Sequence, residues 1–366
     1  MNETEQVLRA LDEHGADAAL VTIVGVKGST YRREGAKLVV PPDGEPIGNI
    51  SGGCLEGEVT EAAREVLSSG QPRTVTYDLT ADDEVVWGWG LGCNGIVEVF
   101  IEPAEQASRF AAAMRRARAE ERSLALVTVI DGDRAGARMS VSPDGSSDGS
   151  LGSEELDETA RSAALAALEQ SRSHIVEVPD RAFIEVIEPP LHLVVCGAGH
   201  DAIPLVEFGS RLGWKVEVLD DRKGFLTPER FPAAAALTFT EPEDAAAAVR
   251  IDRRTHIVVM SHNFLRDRDY LRAFLGSDAA YIGMLGPKQR LGKLLDELRS
   301  DGVEPSDAHL ANVHGPAGLD IGADGPEEIA WAIVSEILAV RRSSGAGFLR
   351  DRSGPIHPRS EQARSA

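Results

Sequence analysis

Two cysteines set among glycines are the residues of this sequence best equipped for chemistry. Cys54 follows Gly52-Gly53 and precedes Leu55-Glu56, and Cys93 sits in Gly90-Leu91-Gly92-Cys93-Asn94-Gly95. Glycine pairs permit positive φ and close approach of the backbone to a bulky ligand. Cys54 is expected at the start of a helix with Glu56 and Glu58 in its first turn, where the helix dipole favours the thiolate. Two thiolates at one site can bind a soft metal or carry transferable sulfur. An isolated cysteine in a turn is more often a small core residue; the second Cys-Gly loop turns the reading towards a shared site.

A third loop offers oxyanion chemistry. Gly28-Ser29-Thr30, with Arg32 and Arg33 close behind, supplies backbone N–H groups, two hydroxyls and two guanidiniums. That set suits phosphate, the plain alternative being a solvated hairpin loop.

A fourth group lies in the C-terminal half. Gly197-Ala198-Gly199-His200-Asp201-Ala202 reads G-x-G-x-x-A between an apolar strand at residues 192–196 and a helix, and the next strand ends at Asp220-Asp221. Glycines in that context, with an acidic residue about twenty positions on, make the dinucleotide fingerprint. The pattern speaks for a Rossmann fold more strongly than for NAD(P), since a mononucleotide or a pterin phosphate can use the same helix N-terminus. Further strands at residues 257–260 and 280–286 put His262, Gly283, Gly286 and Lys288 at carboxyl ends, which face the ligand crevice of a doubly wound sheet. For His262 a structural, hydrogen-bonded role is an equal alternative. Cys196, inside the first strand, reads as core.

The elements that position the N-terminal loops form a degenerate repeat. Ala19-Leu20-Val21-Thr22 returns as Ala125-Leu126-Val127-Thr128, 106 residues on. Gly35-Ala36-Lys37, Pro42-Asp43-Gly44 and Gly48 return as Gly136-Ala137-Arg138, Pro143-Asp144-Gly145 and Gly149, 101 residues on. Ile101-Glu102-Pro103 matches Ile187-Glu188-Pro189 at a spacing of 86. The first copy therefore carries extra residues in the loop at 26–34 and around 81–95, and it alone has Gly-Gly-Cys where the second reads Ser153-Glu154-Glu155. Special loops on one copy of a duplicated scaffold point to a copy that acts and a copy that supports.

These patterns set the expected architecture. Residues 1–189 form an α+β domain from repeat copies at about 17–103 and 123–189, residues 190–342 a Rossmann-like doubly wound parallel sheet, and residues 343–366 a disordered tail. A length of 366 residues with 42% apolar residues fits two globular domains. A formal charge of -21 disfavours nucleic acid as a partner. Three cysteines are too few for a disulfide framework, and too few for the iron–sulfur clusters of a xanthine dehydrogenase catalytic chain. With neither a secretory h-region nor an apolar run of membrane-spanning length, the expected location is cytoplasmic.

In order, Gly-Ser-Thr-x-Arg, Gly-Ala-Lys, Pro-Asp-Gly, Gly-Gly-Cys-Leu-Glu, Gly-Leu-Gly-Cys and Ile-Glu-Pro resemble the N-terminal domain of the XdhC/CoxI family. The Gly197 fingerprint, Val313-His314-Gly315-Pro316-Ala317-Gly318-Leu319-Asp320-Ile321-Gly322 and Pro326-Glu327-Glu328 resemble its C-terminal Rossmann domain. The resemblance covers about residues 8–342, with Asn94 standing where the second cysteine motif usually has glycine. It implies an accessory factor that binds molybdenum cofactor (molybdopterin) and hands it to a molybdenum hydroxylase such as xanthine dehydrogenase. A cysteine desulfurase or sulfurtransferase is a further implied partner, and a homodimer an implied assembly. Carried over by position, Gly52, Gly53, Cys54, Glu56, Gly92 and Cys93 would surround the cofactor, with Cys54 and Cys93 nearest molybdenum. Gly28, Ser29, Thr30 and Arg32 would hold phosphate, and Gly197, Gly199, His200, Asp220, His262 and Gly286 would line the second site. The competing reading is an NAD(P)-dependent oxidoreductase using the C-terminal domain, for which His262 is the one evident acid–base residue.

Overall fold

In the computed structural model of the chain the described residues are 3–53, 55–79 and 94–353. They divide into two compact units, one up to Pro189 and one from Pro190.

The first unit is the repeat. Its first copy comprises α1 (Glu3–His14), β1 (Ala19–Ser29), β2 (Lys37–Val40), β3 (Ile47–Gly48), α2 (Glu56–Ser69), β4 (Arg73–Asp78) and β5 (Asn94–Pro103). The second comprises α3 (Ala104–Ala119), β6 (Leu124–Val129), β7 (Arg138–Val141), β8 (Ser147–Ser150), α4 (Glu154–Glu169), β9 (His174–Val178) and β10 (Asp180–Ile187). Each copy folds into a five-stranded antiparallel sheet, ordered β3-β2-β1-β5-β4 and β8-β7-β6-β10-β9. The registers coincide: Ala19 faces Val40 and Ala125 faces Val141, while Thr22 faces Lys37 and Thr128 faces Arg138. Gly48 and Gly149 also correspond, both at positive φ, where a Cβ would press into the carbonyl oxygen of Lys37 or Arg138. At the closing strand the sequence match is displaced by three residues. Leu20 faces Glu102 and Leu126 faces Glu185, so Glu102 corresponds to Glu185 and not to Glu188. The second Ile-Glu-Pro begins with the last residue of β10 and runs past it, where no ladder holds it to the repeat's register.

Both faces of the central strands β1 and β6 are buried, which is why residues 19–24 and 124–129 read as apolar runs broken only by Thr22 and Thr128. Val21 and Ile23 pack with Val59, Ala63 and Val66 of α2, and Val127 and Val129 pack with Ala160 and Ala164 of α4. The opposite faces share a core, where Leu20 and Leu126 meet Val7 and Leu11 of α1 and Ala107 and Phe110 of α3. Phe100 and Phe183, corresponding residues, meet there with Val24 and Ile130.

The second unit comprises β11 (His192–Cys196), α5 (Ala202–Arg211), β12 (Lys215–Asp220), β13 (Ala236–Phe239), α6 (Ala245–Ala248) and β14 (Thr255–Val259). It continues with α7 (Phe264–Phe274), β15 (Tyr281–Met284), α8 (Lys288–Ser300), α9 (Asp307–Ala311), β16 (Val313–His314) and α10 (Pro326–Arg341). Its sheet is parallel, ordered β13-β12-β11-β14-β15-β16, the doubly wound order with its switch point between β11 and β14. One face packs on α5 and α10 through Leu205, Val206, Ile333 and Ile337; the other packs on α7 and α8 through Tyr270, Phe274, Leu294 and Leu298. Among the described residues, no helix is long and apolar enough to cross a membrane.

Candidate functional site

Topology gathers the motif loops of the first copy at one end of its sheet. β1 ends at Ser29, β2 begins at Lys37, β3 ends at Gly48 and β5 begins at Asn94, with Gly28 opposite Gly95 and Ser29 opposite Asn94. β1 has 11 residues against 6 in β6. Part of the insertion therefore extends the β1–β5 ladder past the irregularity between Ile23 and Gly25. The fit at its tip is tight, since a Cβ on Gly95 would lie 2.7 Å from the carbonyl oxygens of Lys27 and Ser29. Tyr31 then joins two loops: its ring carbon would stand 3.3 Å from a Cβ at Gly52, while the residue stays 59% exposed.

Glu56 shapes the Gly-Gly turn from the first residue of α2. Its carboxylate accepts from the N–H groups of Ser51 (3.0 Å), Gly53 (2.9 Å) and Leu55 (3.2 Å), and from the Ser51 hydroxyl. Burial raises its pKa, but these donors, the Ser51 hydroxyl foremost, outweigh it and hold the group below its ordinary value. Asn49 accepts from Gly52 N–H at 2.9 Å. Gly52 and Gly53 take φ of +82° and +110°, and among the described residues beyond its chain neighbours nothing lies within 4 Å of where a Gly53 Cβ would be. The glycine pair thus stands two residues before the N-cap of α2, Leu55. Cys54, Gly92 and Cys93 lie outside the described residues. In the second copy the same place is an ordinary helix start: Ser153 caps α4, and Asp157 accepts from Leu151 N–H at 2.6 Å.

The oxyanion loop is partly engaged by the chain itself. Arg32 donates to both carboxylate oxygens of Glu3 at 2.8 Å, and the Thr30 hydroxyl donates to the Arg32 carbonyl at 2.9 Å. Beside this pair opens a cleft of about 210 Å³, bordered by Glu3, Thr4, Arg32, Met114 and Glu188, with Lys37 and Glu185 among its lining.

In the second unit the fingerprint residues come together. A Cβ on Gly197 would lie 2.7 Å from the Ser261 Cα, so only glycine lets the loop pass the end of β14. At Gly199 the nearest atom to such a Cβ would be His262 Cδ2 at 3.8 Å, leaving room above α5. His262, at φ +57°, pairs through Nε2 with Asp201 at 2.9 Å; a histidine held in the left-handed region marks a constrained position. His200 is exposed. Asp220 accepts from Ala198 N–H (2.6 Å) and from Arg222. Burial raises its pKa, and Arg222 with the Ala198 N–H more than reverses that. Gly286 is reached through a relay in which Ser261 donates to Asp267 (2.5 Å) and Arg290 donates to the same carboxylate (2.6 Å); Arg290 Cδ crowds the space a Gly286 Cβ would need. Cys196 is buried and its thiol is pushed up by that burial.

Tyr31, Asp201, Arg222, Arg230, Asp267 and Arg290 escaped the sequence reading because each gains its place from tertiary packing. Three of them stood beside a local signal, Tyr31 between Thr30 and Arg32, Asp201 inside the Gly197 fingerprint and Arg222 directly after Asp220-Asp221. Among the described residues no group of three or more His, Cys, Asp or Glu is arranged to hold a metal ion.

Comparison with known proteins follows the same two-part division. Residues 11–78 and 117–179 match the model of the XdhC and CoxI family, and residues 193–337 match that of the XdhC Rossmann domain. A probable xanthine dehydrogenase subunit of Bacillus subtilis (strain 168) is 30% identical over 346 residues, covering 93% of this chain and 98% of that one. The molybdenum cofactor insertion chaperone PaoD of Escherichia coli (strain K12) is 21% identical over 335 residues, covering 89% of this chain and 84% of its own. The crystal structure of a xanthine dehydrogenase from Bacillus halodurans superposes with a TM-score of 0.78 at 30% identity, covering 95% of this chain and 98% of that one.

Proposed function

As a member of the XdhC and CoxI family, to which this chain belongs, the protein is one that we propose binds molybdenum cofactor and delivers it to a xanthine-dehydrogenase-type molybdenum hydroxylase. The observation that carries this reading is the junction of the Gly28–Arg33 loop with the Gly52-Gly53 turn under the exposed ring of Tyr31. A flat pterin needs an aromatic face and backbone it can approach, and Tyr31 with the positive-φ glycines Gly52 and Gly53 supplies both. Its phosphate needs N–H, hydroxyl and guanidinium donors, which Gly28, Ser29, Thr30 and Arg32 carry. The cargo's metal needs soft ligands, for which Cys54 and Cys93 are the proposed thiols.

Glu56 acts in this scheme as the residue that shapes the turn, keeping Gly52 and Gly53 at positive φ. The test is to purify the full chain from cells with active cofactor synthesis, then measure molybdenum and the fluorescence of oxidised pterin. Both should accompany the wild type and fall away in Cys54→Ala and Gly53→Val. Pterin-free wild-type protein would defeat the reading, and equal retention by Cys54→Ala would remove that thiol from it.

A further inference from the structure

We infer that the crevice of the second unit is built for a 2′-phosphorylated adenine dinucleotide, NADP(H), in preference to NAD(H). The inference concerns the Rossmann unit alone and does not rest on the cofactor-carrier reading, so each can fail without the other.

In a doubly wound sheet the adenosine ribose lies over the end of the second strand. There an acidic residue accepts from the 2′-hydroxyl, or an arginine receives a 2′-phosphate. The second strand here is β12, and it ends at Asp220. Asp220 is 1% exposed, and both of its oxygens are filled from within. Oδ2 accepts from Ala198 N–H at 2.6 Å and Arg222 Nη2 at 2.7 Å; Oδ1 accepts from the Arg222 backbone N–H and Nε, each at 2.8 Å. Asp221 is taken in the same way, by Arg266 Nε at 2.7 Å. A ribose diol would have to displace charge-assisted hydrogen bonds to gain neutral ones, an unfavourable exchange.

Cations are in surplus at the same spot. Arg222 pairs with Asp220 and Arg266 with Asp221, and beside them stand two further cations, Lys223 over the Phe239 ring and Arg230 over the Phe225 ring, in a chain whose net charge is -21. Arg222 lies 4.2 Å and Arg230 5.1 Å from the Phe225 ring centroid, so two guanidiniums are braced on one aromatic at the rim. Arg230 donates to the Ala198 carbonyl at 3.0 Å, while its Nε is buried without a hydrogen-bond partner. Lys223 is exposed, held over the Phe239 ring at 4.6 Å. Guanidinium forks match a phosphate dianion and stack on adenine. The pyrophosphate also has a place, because the first turn of α5 carries no acidic residue and Asp201 is drawn aside by His262.

Calorimetric titration of the full chain with NADP+, NAD+ and 2′,5′-ADP tests the assignment. NADP+ should bind at least about tenfold tighter than NAD+, and 2′,5′-ADP should bind as well. Lys223→Glu, an exposed change that leaves Asp220 and its partners in place, should weaken NADP+ about tenfold and leave NAD+ alone. Arg222→Ala uncovers Asp220 and should move the preference towards NAD+, and Gly199→Val should abolish binding of both. Equal affinities, tighter NAD+, no binding of any probe, or NADP+ binding untouched by Gly199→Val would each overturn it.

Discussion

Lys37 of the first repeat copy donates to both carboxylate oxygens of Glu185 in the second, at 2.9 Å each. The corresponding residues make the reverse connection, Arg138 of the second copy reaching Glu102 of the first. Each copy thus lends a cation to the other's acid across the core they share. Thr22 and Thr128, also corresponding, complete the arrangement by accepting from Lys37 (3.4 Å) and from Arg138 Nε (2.9 Å). Burial lowers the Lys37 pKa, an effect that Glu185 opposes. Buried pairs add little net stability, yet leaving one member alone is costly.

Removing Arg138 should expose that cost. Glu102 is fully buried and its Oε2 already lacks a partner. Arg138→Met is therefore expected to destabilise the first unit by about 3–5 kcal/mol, with Glu102→Leu added on top restoring much of the loss. Urea titrations of the single and double variants check this; a double variant less stable than the single would refute it.

The two corresponding glycines should behave alike. Gly48 and Gly149 have φ of +110° and +92° and abut the carbonyls of Lys37 and Arg138. Alanine at either should cost more than about 1 kcal/mol. Gly57, inside α2 and with none of the described residues within 4 Å of a Cβ built there beyond its chain neighbours and its own helix backbone, should instead gain about 0.4–1 kcal/mol on Gly57→Ala. Thermal melts of the three variants should sort them in that way, and a stabilised Gly149→Ala would contradict the matched register of the two copies.

The Glu56 turn carries a pH signature. Its folded pKa lies below 4.5, so as pH falls the unfolded chain takes up the proton first. The stability it contributes is complete above that ordinary value and is lost as pH drops through the lower folded one. The stability difference between wild type and Glu56→Gln should accordingly stay constant from about pH 7 to 5.5 and shrink below about pH 4.5. A difference that grows on acidification would mean the hydrogen bonds described are not those that matter.

Tyr31 should matter for the cargo and not for the fold. The residue is mostly exposed, so Tyr31→Ala should leave the melting temperature nearly unchanged while weakening pterin retention about tenfold. Tyr31→Phe should retain wild-type behaviour, because the stacking face is kept. Retention by Tyr31→Ala equal to wild type would place the pterin elsewhere.

Much of the architecture was legible because it rests on local rules. The apolar runs at 19–24 and 124–130, the Pro-Asp-Gly turns and the G-x-G-x-x-A loop each declare an element within a few residues. The strand β13 was not legible, since it lies within an alanine-rich stretch of half-buried residues that shows no alternation. The closing repeat match failed for a related reason: a recurring tripeptide outweighed the ladder register, which only cross-strand pairing reveals.

The sequence by itself determined the mixed α/β class, the recurring strand, turn and helix order of the first unit and the Rossmann-like parallel sheet of the second, because periodicity, turn chemistry and glycine requirements act over short spans. Tertiary structure alone decided how the carboxylates and cations were used. Glu56 closes a turn, Asp220 is sealed by Arg222, and Arg32 answers to Glu3. The role of a charged group follows from which partners surround it and how much water is removed, and residues distant in sequence set both.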